Sequence, residues 1–277
     1  MGIALVTDST SDLPPSLVER YSISVIPTIL ILGQDQYLDG KGITREEYYK
    51  RLPEYDPPPT TASAAPAAYS QIYENCLSHG ADQVLSIHVA SQLSSVYSTA
   101  CLAAGNFHDR VKVMDSGQLS LGLGFQVLAA AEALEDGANL EEAIQTIRQI
   151  QKRIKVLAML GTLEQLRRSG RVSSMRAGLG ALLKVKLFLE VRSGEVLRIG
   201  EARTRNKGIA HFKLMLRRLG KLERLAMLHT NAEQEAQAIL DEFSAGLEYP
   251  PLLANVTTII GTHVGANALG FAAVLAE

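Results

Sequence analysis

The chain has 277 residues, 47% hydrophobic and 20% charged, enough for one large or two medium domains with substantial cores. A formal net charge of -2 implies no general attraction to nucleic acid, and no uninterrupted apolar run is long enough to span a membrane. Cys76 and Cys101 form no metal or redox spacing, and the N-terminus shows no signal-peptide pattern, so the expected setting is reduced and cytoplasmic.

Ile3 to Val6 reads as a buried strand that ends in the small polar run Thr7-Asp8-Ser9-Thr10-Ser11-Asp12. Pro14 and Pro15 open a helix with Leu17 and Val18 on its inner face and Ser11 or Asp12 as its cap. Ser24 to Leu32 is a second strand, interrupted by Pro27; after the turn Gly33-Gln34-Asp35-Gln36, Tyr37 to Asp39 pair back. Thr44-Arg45-Glu46-Glu47 is a capping box for a helix through Arg51. Pro53 to Pro59 is extended and delivers the chain to Thr60-Thr61-Ala62-Ser63, and Pro66 opens a helix to about Ser78. Val84 to Val89 is a strand, followed by Ser91-Gln92-Leu93-Ser94-Ser95 and a helix through Ala104. Val111 to Met114 is another strand, ending in Asp115-Ser116 as the first ends in Asp8-Ser9, and two helices follow near 120–136 and 140–153. This alternation predicts an α/β domain over residues 1–153, a mostly parallel sheet covered by helices.

From Ile154 the pattern changes. Ile154 to Leu160 is a strand, Thr162 caps a short helix ending near Arg168, and 178–184 reads as helical. Val185 to Val191 and Glu195 to Glu201 form a hairpin turned at Arg192-Ser193-Gly194. A basic helix to Leu219, a strand Arg224 to Leu228, a helix Ala232 to Ser244, a strand Asn255 to Ile260 and an alanine-rich terminal helix complete the expectation. Residues 154–277 are thus predicted to be an α+β domain. Arg203, Arg205, Lys207, Lys213, Arg217, Arg218, Lys221 and Arg224 make the basic helix either a solvated face or a dock for an acidic partner.

The familiar catalytic signatures are absent: no phosphate-binding glycine loop, no Gly-x-Ser-x-Gly elbow, no His-Glu-x-x-His helix, and no metal-like spacing among the six histidines. Hydroxyls at strand ends remain. Thr60, Thr61 and Ser63 precede one helix and Ser91, Ser94 and Ser95 another; each alone reads as ordinary capping, and together they suit a carboxylate. Gly261-Thr262-His263-Val264-Gly265 puts a histidine between glycines after a predicted strand, either an ordinary surface histidine or one placed where backbone can approach a ligand. Arg167-Arg168-Ser169-Gly170-Arg171 is a compact basic turn, either a solvated helix end or a place where Arg171 meets an anion.

Over essentially its full length the sequence resembles the DegV family of bacterial fatty-acid-binding proteins. The resemblance is carried by Val6 to Pro14, Thr60-Thr61, Leu93-Ser94, Val113-Met114-Asp115-Ser116, Arg168 to Val172, Leu182 to Lys186, Ala202-Arg203-Thr204-Arg205 and Gly261 to Gly265, in that order. It implies a two-domain carrier with the lipid site between the domains, no cofactor, no metal and no catalytic residue. The ligand that the resemblance implies is a long-chain fatty acid such as hexadecanoate. The carboxylate is expected on Thr61 and Ser94, with His263 and Arg171 nearby, while Asp8, Ser9, Asp115 and Ser116 brace the loops behind them. Members of the family can present the acid to a separate ATP-dependent fatty acid kinase, and the arginine that Arg203 resembles is linked to that partner surface. The sequence departs from the family's motifs around these positions: Thr61-Ala62-Ser63-Ala64-Ala65 keeps only the threonine of Thr-Ser-x-Pro-Ser, Leu93-Ser94-Ser95-Val96 keeps Leu-Ser but loses Gly-Thr, and Ser169 replaces a turn glycine. The alternative from another class is a small-molecule phosphotransferase using the strand-end aspartates Asp8 and Asp115.

Overall fold

Short apolar runs become strands, and prolines or hydroxyl residues start helices, in a computed structural model that describes residues 2–161, 165–166 and 185–277. Among the described residues the strands in chain order are β1 (Ile3–Asp8), β2 (Ser24–Ile26), β3 (Ile29–Leu32), β4 (Asp35–Leu38), β5 (Thr60–Ala62), β6 (Gln83–His88), β7 (Val111–Asp115), β8 (Ile154–Leu160), β9 (Lys186–Arg192), β10 (Glu195–Ala202), β11 (Leu222–His229), β12 (Leu252–Asn255) and β13 (Leu269–Leu275). The helices are α1 (Pro15–Arg20), α2 (Arg45–Arg51), α3 (Pro66–Ser78), α4 (Val96–Ala104), α5 (Leu121–Glu135), α6 (Leu140–Arg153), α7 (Arg205–Arg217), α8 (Glu233–Phe243) and α9 (Thr258–Val264). The fold is α/β, and the chain divides into two compact units: Met1–Ile29 with Ala62–Lys152, and Leu30–Thr61 with Arg153–Glu277.

The first unit is built on a four-stranded sheet in the order β2-β1-β6-β7, with every neighbouring pair parallel. Parallel strands need crossover connections: α3 precedes β6 and packs on β2 and β6, α4 joins β6 to β7, and α5, after the sheet's last strand, packs on β1 and β6. Residues 121–131 of α5 are all buried, as expected of a helix without a polar stripe. Gly124 lets α5 lie against the turn that follows β1, because a Cβ there would stand 2.8 Å from the Ser11 carbonyl oxygen. In α6, Ala143, Ile144, Ile147 and Ile150 are buried at helical spacing. The expected cap of α1 is corrected: its N-cap is Pro14, with no side-chain bond. Ser11 instead ends a 3-10 turn (Ser9–Ser11) capped by Asp8, and Asp12 takes a left-handed conformation and accepts a 2.6 Å bond from Ser120 Oγ.

The second unit carries a six-stranded sheet in the order β10-β9-β8-β13-β11-β12, antiparallel except for β11 with β12. Period-two alternation separates its faces. Leu157, Met159, Phe188, Leu269 and Phe271 pack on Phe212 and Leu216 of α7 and Ile239 and Leu240 of α8. Leu160, Leu187, Leu189 and Ala268 form a cluster on the other face, with Leu166 and Val264. A second sheet, β4-β3-β5, leads to Thr61. The segment 30–61 packs into this unit rather than extending the first one, since Tyr48, Tyr49 and Asp39 bond to Thr262, Val256, Thr257 and Thr258.

Two expectations near the C-terminus are reversed. The β-branched run Val256-Thr257-Thr258-Ile259-Ile260 is not a strand: β12 ends at Asn255, and Thr257 then caps α9 by accepting from Ile260 N–H at 3.3 Å. The alanine-rich terminus is not a helix but β13, hydrogen-bonded on both sides, to β8 and to β11. Local alanine propensity yields to this pairing, and Gly270, Ala272 and Ala273 suit a strand enclosed between two others.

Candidate functional site

In the first unit, polar strand ends hold one another. Asp8 is fully buried and its carboxylate accepts from Thr10 N–H (3.0 Å), Val89 N–H (3.1 Å) and the Thr10 hydroxyl, and lies 3.0 Å from His88 Nδ1. Burial opposes the charge, but the His88, Thr10 and Val89 donors together outweigh it and hold the carboxyl below its ordinary value. Ser9 Oγ is 2.7 Å from Thr28 Oγ1 and accepts from Thr28 N–H at 3.2 Å. Asp115 accepts from Ser91 N–H (3.2 Å) and Gly117 N–H (2.8 Å). Ser116 N–H donates to the His88 carbonyl, Ser116 Oγ accepts from Gln118 N–H, and the Gln118 carbonyl accepts from Ala90 N–H at 2.9 Å. Both strand-end aspartates therefore accept from backbone donors of neighbouring loops.

The loop held in this way carries Ser94. Ser94 N–H donates to the Ala90 carbonyl (3.2 Å), and Ser94 Oγ accepts from Val96 N–H (3.3 Å), which opens α4. With that lone pair occupied, the serine proton is left to donate. Ser63 Oγ lies 3.1 Å from Ser95 Oγ in the same unit.

In the second unit, Thr61 of β5 meets His263 of α9: Thr61 Oγ1 is 3.2 Å from His263 Nε2, across 202 positions of sequence. His263 sits in the last turn of a helix and not at a strand end, which corrects the expected local setting while leaving the residue beside Thr61. Gly265 follows at φ +80, in the left-handed region that ends the helix. An imidazole N–H donated to Thr61 Oγ1 would leave the threonine proton, like that of Ser94, for an outside acceptor. Arg171 lies outside the described residues.

Arg203 is exposed, just beyond β10. The basic helix does not present one continuous cationic face. Arg205 bonds Glu235 at 2.8 Å and the Asn267 carbonyl at 2.7 Å, Lys213 and Arg217 share Glu242, and Arg224 is buried 3.6 Å from the centre of the Tyr249 ring. Arg203, Lys207, Arg218 and Lys221 remain exposed.

One constellation escaped the sequence reading. Tyr73 OH is 3.0 Å from Ser86 Oγ, Ser86 Oγ is 2.7 Å from His88 Nε2, and His88 Nδ1 reaches Asp8. The Asp-His-Ser order is that of hydrolases, yet all four side chains are 0% exposed. Burial pushes the Tyr73 phenol up to about 12, which keeps it protonated beside Ser86. The constellation is a buried tie between β1, β6 and α3. Alternation in β6 was the available signal, since it turns Ser86 and His88 to one face. Among the described residues, no three His, Cys, Asp or Glu side chains form a metal-holding group, and no helix is long and apolar enough to cross a membrane.

Residues 2–276 match the family described as "Uncharacterised protein, DegV family". Protein DegV of Bacillus subtilis is 33% identical over 279 residues, covering 98% of each chain. A solved DegV-family protein from Thermus thermophilus, reported for its fatty acid binding, superposes with a TM-score of 0.91 at 33% identity over 100% of both chains. The Bacillus subtilis DegV structure, described as a fatty acid binding protein, gives 0.87 at 31% identity, again over 100% of both.

Proposed function

This chain belongs to the DegV family, and we propose that it binds a long-chain fatty acid as a carrier rather than transforming it as an enzyme. The observation that carries the reading is the Thr61–His263 bond, which joins two positions expected to face a carboxylate from opposite ends of the second unit's sequence. The fatty acid binding of relatives at 31% and 33% identity supports it. The histidine orders the Thr61 hydroxyl, Val96 N–H orders that of Ser94, and both donate to the carboxylate, with Arg171 as a further cation. Asp8, Ser9, Asp115 and Ser116 act behind them, holding the loops. Val264, beside His263, packs against the apolar cluster that contains Leu160, Leu187 and Leu189. The protein works in the cytoplasm, where Cys76 and Cys101 stay unpaired, and hands its ligand to a separate ATP-dependent fatty acid kinase that docks at Arg203.

Isothermal titration with hexadecanoate, followed by kinase-coupled turnover, tests the roles together. Hydrogen bonds to a charged group are worth about 1.5–3 kcal/mol, so Thr61→Val and Ser94→Ala should each weaken binding about 10- to 100-fold. Arg203→Glu should bind like the wild type and lose turnover. Wild-type affinity in both hydroxyl variants contradicts the carboxylate site, and wild-type turnover in Arg203→Glu contradicts the docking surface.

A further inference from the structure

We infer that Tyr48 and Tyr49 are positioning residues for His263: they clamp α9 from both ends and so set where Nε2 meets Thr61. The inference rests on the reading of Thr61 and His263 as carboxylate-facing groups. The helix α9 has seven residues, too few to fix its own place, so its position comes from what it touches. The tyrosines stand side by side on α2 and are 0% and 2% exposed. Tyr49 OH lies 2.8 Å from the Val256 carbonyl and 2.9 Å from that of Thr257, where the chain enters α9. Its ring fills the space a side chain at position 261 would take: a Cβ on Gly261 would stand 2.2 Å from Tyr49 Cε1. The glycine two residues before His263 thus has a steric reason, close approach of an aromatic ring.

Tyr48 acts at the other end. Its OH is 2.6 Å from Thr262 Oγ1, next to His263 in the chain. Thr262 Oγ1 donates its proton to the Thr258 carbonyl at 2.7 Å, so Tyr48 must be the donor of the pair. That bond fixes the turn bearing His263, and an edge contact between the two tyrosine rings, with centroids 5.5 Å apart, links the ends of the clamp. The segment 30–61 therefore supplies both the clamp and Thr61, so one piece of chain sets the hydroxyl and the histidine it meets.

The test follows the imidazole resonances of His263 by NMR in ligand-free protein, with Thr61→Val as the reference for a broken Thr61–His263 bond. Expected for Tyr48→Phe and for Thr262→Val are His263 resonances moved toward those of Thr61→Val and hexadecanoate affinity lowered about three- to tenfold. Thr262→Ser, which keeps the hydroxyl, should restore both. If Tyr48→Phe does not fold, the Thr262 pair decides alone. His263 resonances left at their wild-type positions in a folded Tyr48→Phe or Thr262→Val protein overturn the inference. Should the wild type bind no hexadecanoate, the carrier reading fails while the resonances still decide the clamp.

Discussion

Asp8→Ala is expected to lower folding stability by about 3–5 kcal/mol, the usual cost of breaking a buried, hydrogen-bonded charge pair. The substitution strands His88 Nδ1, Val89 N–H, Thr10 N–H and the Thr10 hydroxyl in a site with no solvent access. Against a typical domain stability of roughly 5–15 kcal/mol, that is a large share. Chemical denaturation near neutral pH measures it, and a loss below about 1 kcal/mol would show that Asp8 does not hold the strand ends together. The pH dependence follows with a definite sign. The folded carboxyl lies below the ordinary 3.8, so its contribution is complete above that value and is lost as pH falls through the folded one. Asp8→Asn should therefore flatten the acid limb of stability below about pH 4, and an unchanged limb would count against the charged form.

Shortening the ligand should have an effect of similar size. At roughly 0.8 kcal/mol per buried methylene, cutting hexadecanoate to decanoate costs about 5 kcal/mol, a loss of about a thousandfold or more. That exceeds the 10- to 100-fold expected for either hydroxyl, so on this account the tail would supply most of the affinity and the polar groups would set its orientation. Titration with a series of saturated acids reads the slope directly. Decanoate binding within tenfold of hexadecanoate would mean that most of the tail stays in water.

Much of this fold was legible because local signals and tertiary demands agreed. Thr44 does accept from Glu47 N–H at 3.1 Å to start α2, Pro66 does open α3, and the apolar runs of the first unit are its parallel strands. Where the two disagreed, local reading failed. Ala272 and Ala273 favour a helix in isolation but are held in a strand by neighbours far away in sequence, and β-branched Val256 to Ile260 look extended until Thr257 caps the turn. At the candidate site, Thr61 and His263 could be nominated from sequence, but not their mutual contact or the short helix beneath His263. Nor could Tyr48 and Tyr49 be read as its clamp: two adjacent tyrosines on a short helix signal buried hydroxyls in need of partners, and only the fold says which.

Native mass spectrometry of the full chain, purified without detergent and then offered hexadecanoate, addresses the fatty-acid assignment most directly. The expected spectrum holds the protein with one fatty acid, retained from the expression host or taken up on addition, and Thr61→Val and Ser94→Ala reduce the bound fraction. A spectrum of protein alone, before and after addition of C14–C18 acids, would contradict it.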